Sequence, residues 1–73
     1  MSSLDKSTVK WFDSRKGYGF LVGIEKSDHQ DIFVHYTEIE NGDLSEGDSV
    51  TFELVNGKKG PSAKNLEIVA IAS

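Results

Sequence analysis

Residues 16–23 read KGYGFLVG and set two aromatic rings, Tyr18 and Phe20, at alternate positions of a glycine-spaced run. In an extended chain such positions share one face, and Leu21 falls on the other. The stretch DIFVHY at 31–36 repeats the arrangement, with Phe33 and His35 on one face and Ile32 and Val34 on the opposite one. Trp11 lies upstream next to Lys10, and Arg15 and Lys16 lead into Tyr18. Flat rings flanked by cations suit a flat, anionic ligand. Unpaired bases stack on aromatic faces for roughly 1–3 kcal/mol each, while lysines meet the phosphates.

Other chemistries find less support. Ser3 with Lys6 and Ser7 with Lys10 both fit S-x-x-K, but the motifs that accompany it in acyl-transfer enzymes are missing. The two histidines have no cysteine and no convincing serine partner, and His35 reads as a stacking ring rather than a general base. Asp28, His29 and Asp31 in SDHQD have no recognised metal-ligand spacing and read as a solvated turn. GYGFLVG fails as a dinucleotide fingerprint, since its third glycine comes one residue late and strand formers follow it. The expectation is a protein that is not an enzyme, with no cofactor, no metal and no small-molecule substrate.

The elements that position the rings are short strands. No window repeats apolar residues at helical spacing, whereas β-branched and aromatic segments alternate with Gly, Asn, Asp and Ser clusters. The pattern predicts strands over residues 8–13, 18–25, 31–35, 49–55 and 62–71, with a turn of helix near 36–39. NGKKGP forms a hairpin loop with Asn56-Gly57 as its turn pair. Five antiparallel strands in a chain of 73 residues point to one all-β domain, a closed or nearly closed barrel without exposed edges. Alternation assigns Val9, Leu21, Ile32, Val34, Val50, Phe52, Leu54, Ala63, Leu66 and Ile68 to its interior. That set fills a small core and leaves Trp11, Tyr18, Phe20, Phe33 and His35 as a surplus. Strict alternation places Trp11 inside with Val9, and a bulge in the first strand would turn it outward. A surplus of rings on one face marks a binding surface, for single strands or, as the rival reading, for a protein partner.

Composition bounds these readings. The chain has no cysteine, which removes disulfides and thiolate metal sites and fits a reducing compartment. MSSLDKST is polar and IVAIAS is far too short for a bilayer, so the expected location is the cytoplasm and no membrane partner is expected. The net charge of −4 is unevenly spread, with nine acidic residues against Lys26 alone from Glu25 to Glu53. Outside that stretch Lys6, Lys10, Arg15, Lys16, Lys58, Lys59 and Lys64 outnumber Asp5, Asp13 and Glu67. The acidic stretch reads as a solvated flank turned away from nucleic acid.

VKWFDSRKGYGFL followed by DIFVHYTEI closely resembles the bacterial cold-shock proteins, the first segment carrying that family's version of RNP1 and the second its RNP2. NGKKGPSAKNL resembles the loop and last strand of the same family, so the likeness runs from about residue 9 to 66, within a single cold-shock domain spanning 1–73. The general RNP1 pattern is met over 16–20 but lapses at Gly23, which separates this chain from the larger RNA-recognition fold. The resemblance implies a five-stranded antiparallel OB-type barrel that binds single-stranded RNA and DNA with low sequence specificity. The expected role is that of an RNA chaperone that keeps RNA unpaired, acting on transcription or translation in cold adaptation, with a monomer as the default oligomeric state. The resemblance further implies stacking by Trp11, Tyr18, Phe20, Phe33, His35 and Tyr36, with an exposed Trp11, and polar contacts from Lys10, Lys16, Asp31 and Lys59. Phe12, Asp13, Arg15 and Lys58 are secondary candidates. The chain departs from the family in having Asp13 for the usual asparagine, Thr8 for a frequent lysine, and Tyr18 and Tyr36 for frequent phenylalanines. EIENGDLSEG is also about three residues short and lacks the aromatic often found there, which implies one stacking subsite fewer or weaker binding at that end.

Overall fold

The computed structural model of the protein describes residues 4–39, 44–57 and 60–70. Its strands are β1 (Asp5–Asp13), β2 (Tyr18–Leu21), β3 (Ile32–His35), β4 (Ser49–Gly57) and β5 (Gly60–Ala70), closed into a barrel in the order β1-β2-β3-β5-β4. The barrel is all-β and five-stranded, but it is mixed rather than antiparallel throughout: β3 and β5 run parallel, paired at Phe33 and Ser62. The reason is topological. Directions can alternate all the way round a ring only when the number of strands is even, so a closed ring of five must contain a parallel neighbour pair.

Several strand limits also differ from the expected ones. β1 starts at Asp5, three residues early, because Asp5 to Thr8 pair with β4 while its second half pairs with β2. One strand thus serves two neighbours and closes the ring. β2 ends at Leu21 rather than at 25. Beyond it the chain turns into a 3-10 helix at Glu25–Ser27, built around the buried Ser27 hydroxyl. Ser27 Oγ accepts from Ile24 N–H at 3.0 Å and lies 2.9 Å from the carbonyls of Ile24 and Gln30, which share its single proton. Lys26 ties the same loop to β1 through Asp5, at 3.0 Å. Ser27→Ala strands the Ile24 N–H and removes the hydroxyl donor from the Gln30 carbonyl, while the Ile24 carbonyl keeps the Ser27 and His29 N–H groups, so its thermal or urea melt is expected to show a loss of about 1–3 kcal/mol.

The expected turn at 36–39 is a 3-10 helix, Tyr36–Glu38. β4 and β5 pair as far as Gly57 opposite Gly60, so Asn56-Gly57 belongs to the ladder and is not the hairpin's central pair. Lys58 and Lys59, between those glycines, lie outside the described residues, as do 40–43 of the shortened loop and the expected last strand residue, Ile71.

The core holds Val9, Leu21, Ile32, Val34, Val50, Phe52, Ala63 and Leu66 as alternation requires, with Leu54 and Ile68 half-buried against it. Ile39 and Leu44 join it from a stretch that reads as polar loop. They are single apolar residues without a periodic partner, and they become core only because a barrel's interior must also be covered where its strands end. Two register shifts between β4 and β5 each insert an extra residue into β5, one of them beside Asn65, whose φ is 51°. Such bulges bend a strand and let a short barrel close. Among the described residues no helix is long and apolar enough to cross a membrane.

Candidate nucleic-acid interface

The outward faces of β1, β2 and β3 carry the rings. β2 and β3 pair Tyr18 with His35 and Phe20 with Phe33, which sets four rings side by side as the alternation requires. Trp11 joins them through a bulge. In β1 the step from Val9 to Trp11 faces the single step from Leu21 to Phe20, so Lys10 is the extra residue and the phase of the strand flips. Val9 therefore stays in the core while Trp11 is 38% exposed, which corrects the placement strict alternation gives it.

The six rings form one connected array. Tyr18 and Phe33 lie 5.7 Å apart at 29°, Phe33 and His35 6.5 Å at 32°, and His35 and Tyr36 4.6 Å at 41°. These four share a similar tilt. Trp11 and Phe20 stand more nearly across it, at 66° between Trp11 and Tyr18 and 74° between Phe20 and Phe33. Phe33 and Tyr36 are 36% and 50% exposed, while Tyr18, Phe20 and His35 are half-buried by their neighbours. The rings are thus held firmly with their outer surfaces open.

Backbone contacts fix the far end. Tyr36 N–H donates to the Gly17 carbonyl at 2.8 Å, and its ring lies over Gly17, where a Cβ would come within 2.8 Å of it. Gly17 has φ of +77°, so the position demands glycine on two counts. His35 Nδ1 accepts from Thr37 N–H at 3.4 Å and lies 3.0 Å from the Thr37 hydroxyl, which orients the imidazole at the start of the 3-10 turn.

The polar candidates divide into three groups. Lys10 Nζ lies 2.8 Å from Asp31 Oδ2, both side chains about half exposed. Asp13 is occupied by the turn after β1, its Oδ1 accepting from Arg15 N–H at 2.9 Å and Lys16 N–H at 3.2 Å. The carboxylate standing where the family has an amide therefore does structural work an amide oxygen could also do. Arg15 and Lys16 are exposed on that turn, near Tyr18. Phe12 packs half-buried against the core and shares no ring contact with the array among the described residues. Among the described residues no three His, Asp or Glu side chains are grouped to hold an ion.

A small five-stranded barrel with a binding face on its second and third strands is the architecture of OB-type domains, which take oligonucleotides or oligosaccharides there. Comparison with known proteins narrows this class. Residues 5–69 match the family model described as the 'Cold-shock' DNA-binding domain. The chain is 48% identical over 67 residues to a cold shock-like protein of Thermotoga maritima, covering 88% of this chain and 97% of that one. It is 48% identical over 64 residues to the cold shock-like protein CspE of Escherichia coli K12, covering 84% and 90%. The cold shock protein CspB of Geobacillus stearothermophilus is 44% identical over 66 residues, with 86% and 96% covered. A solved structure, Drosophila Unr CSD456, superimposes with a TM-score of 0.71 at 18% identity, a likeness of fold. The alignment takes in 99% of this chain, which spans only 29% of that one. The chain belongs to the cold-shock domain family of nucleic-acid-binding proteins.

Proposed function

We propose that this domain binds unpaired RNA and DNA strands with low sequence specificity and acts, as a cytoplasmic monomer, as an RNA chaperone. The observation that carries the reading is the six-ring array on the outside of a barrel whose inside is already filled by aliphatic residues and Phe52. A duplex hides its base faces in the stack, so rings can be used only by bases that are unpaired and splayed apart. Every base has a π-face, which makes such contacts tolerant of sequence. Trp11, Tyr18, Phe20, Phe33, His35 and Tyr36 supply the stacking surface, and Lys10, Lys16 and Lys59 meet phosphates. Holding single strands lowers the population of hairpins by mass action, and modest affinity permits release.

Titration with a short oligothymidine tests this, because Trp11 is the sole tryptophan and sits within the array. Its fluorescence is expected to be quenched with saturation at low salt; an unchanged emission and unshifted backbone NMR signals would leave a protein-docking barrel in place of the proposed binder. The affinity is expected to fall with log salt at a slope near −2, since three lysines contribute about −0.7 each on single strands. A much steeper slope would mean that ion pairs, rather than stacking, dominate.

A further inference from the structure

Among the described residues the parallel seam of the barrel is paired at two places, Phe33 with Ser62 and, beyond the 3-10 turn, Ile39 with Leu66. The turn that carries Tyr36 spans the interval between them, and one of its side chains reaches across to β5. Glu38 Oε1 accepts from the Asn65 N–H at 3.2 Å, a bond between residues 27 positions apart. Asn65 stands at a bulge of β5 with φ of 51°, a left-handed conformation that asparagine tolerates better than most residues. A bulge takes a residue out of the regular ladder, so its N–H can serve a side chain. The Asn65 side chain is tied in turn to β4, its Nδ2 donating to Glu53 Oε2 at 2.9 Å. Glu53, Asn65 and Glu38 therefore form a chain of hydrogen bonds from β4 through β5 to the 3-10 turn.

We infer that Glu38 is a positioning residue for the ring array: its bond to Asn65 clasps the 3-10 turn to β5 and so keeps Tyr36 in place over Gly17. The inference rests on the single-strand reading above, in which Tyr36 stacks on a base. Tyr36 begins the turn and Glu38 ends it, and the Ile39 N–H donates to the Tyr36 carbonyl at 3.1 Å, so the turn moves as one piece. Its start is held by the Tyr36 N–H on the Gly17 carbonyl. The Tyr36 ring itself is half exposed, so core packing alone does not fix it, and the clasp at Glu38 supplies a second anchor. Without that anchor the turn samples positions in which the ring leaves Gly17, and the apparent affinity falls with the fraction of molecules whose array is complete. Glu38 thus acts on binding in two opposed ways. Its charge repels the phosphates of a strand, while its oxygen, as an acceptor, keeps the end of the stacking surface assembled.

Glu38→Gln and Glu38→Ala separate the two effects, since both remove the charge but only the glutamine carbonyl can still accept from the Asn65 N–H. On the full chain, with oligothymidine as the probe, Glu38→Ala is expected to bind about two- to fivefold more weakly than Glu38→Gln. In a Tyr36→Ala background the two are expected to bind equally, because the ring they act through is gone. The free protein gives an independent readout. The Tyr36 ring lies over Gly17, so the Gly17 proton resonances carry its ring current and are expected to move in Glu38→Ala and to stay near the parent's in Glu38→Gln. Glu38 is only half-buried, and the two variants are expected to melt within a few degrees of each other. Equal binding by the two variants with Tyr36 present, or Gly17 resonances that do not move, would overturn the inference. A difference that survives Tyr36→Ala would place the effect of Glu38 elsewhere and overturn it equally. So would a Glu38→Ala chain that no longer folds, since the bond would then serve the barrel rather than the array. Failure of the parent chain to bind overturns the single-strand reading and this inference together, whereas binding without coupling between Glu38 and Tyr36 overturns this inference alone.

Discussion

Truncating Phe20 to alanine is expected to weaken oligothymidine binding by about tenfold to a hundredfold, the value of one well-stacked base. The ring occupies the middle of the array, 5.3 Å from Trp11 and 5.7 Å from Phe33, so its loss removes a stacking surface and loosens both neighbours. The core does not depend on it: the sheet face beneath is sealed by Leu21, Ile32 and Val34, all fully buried. Far-UV circular dichroism and a cooperative melt should therefore survive the substitution, with Tm lower by only a few degrees. Lys16→Gln serves as the comparison, since a single exposed phosphate contact is expected to change affinity less than the ring does. A Phe20→Ala chain that no longer folds would make the ring a core residue, and a folded chain that binds as before would remove it from the interface.

Gly19→Ala is expected to produce a large loss of stability for a single added methyl group. Gly19 pairs with Phe12, and a Cβ there would stand 2.6 Å from the Phe12 Cα and still closer to the Trp11 carbonyl oxygen. These are backbone atoms, so relief requires β1 and β2 to part rather than a side chain to swing aside. Overpacking of this kind costs about 2–3 kcal/mol, or about 10–20 °C in Tm for a domain of this size. Gly57→Ala supplies the contrast, because among the described residues its Cβ would meet only the Gly60 carbonyl oxygen at 3.8 Å, an ordinary contact. Its melt should lie close to the parent's, and equal losses at the two positions would show that the β1–β2 approach is looser than described. The two substitutions near Trp11 separate the roles of their strand: Phe20 supplies surface, and Gly19 permits the strand approach that presents it.

Much of this was legible from local pattern. Alternation in DIFVHY separates Ile32 and Val34 from Phe33 and His35 without reference to any other part of the chain, because neighbouring side chains on a strand point to opposite faces. The same rule placed Leu21 against Tyr18 and Phe20, and the short loop to the next strand placed the two ring pairs together. Resemblance added Trp11 and Tyr36 to the set, which alternation alone could not do. Asn56-Gly57 shows the limit of a strong local signal: the pair prefers a tight turn, but continued pairing to Gly60 draws it into the ladder.

What the amino-acid order settled by itself is the two-faced character of its strands: an aliphatic side that has to be covered and an aromatic side with nothing left to cover it. The tertiary structure decided the features that depend on how strands meet. Closing five strands forces a parallel seam between β3 and β5, the bulge at Lys10 turns Trp11 outward, and Ile39 and Leu44 become core only once the barrel is closed. Only there, too, does Lys10 find Asp31 across β2. Side-chain alternation is a property of each residue and its immediate neighbours, whereas register, closure and long-range ion pairs depend on the relative placement of segments that are distant in the chain.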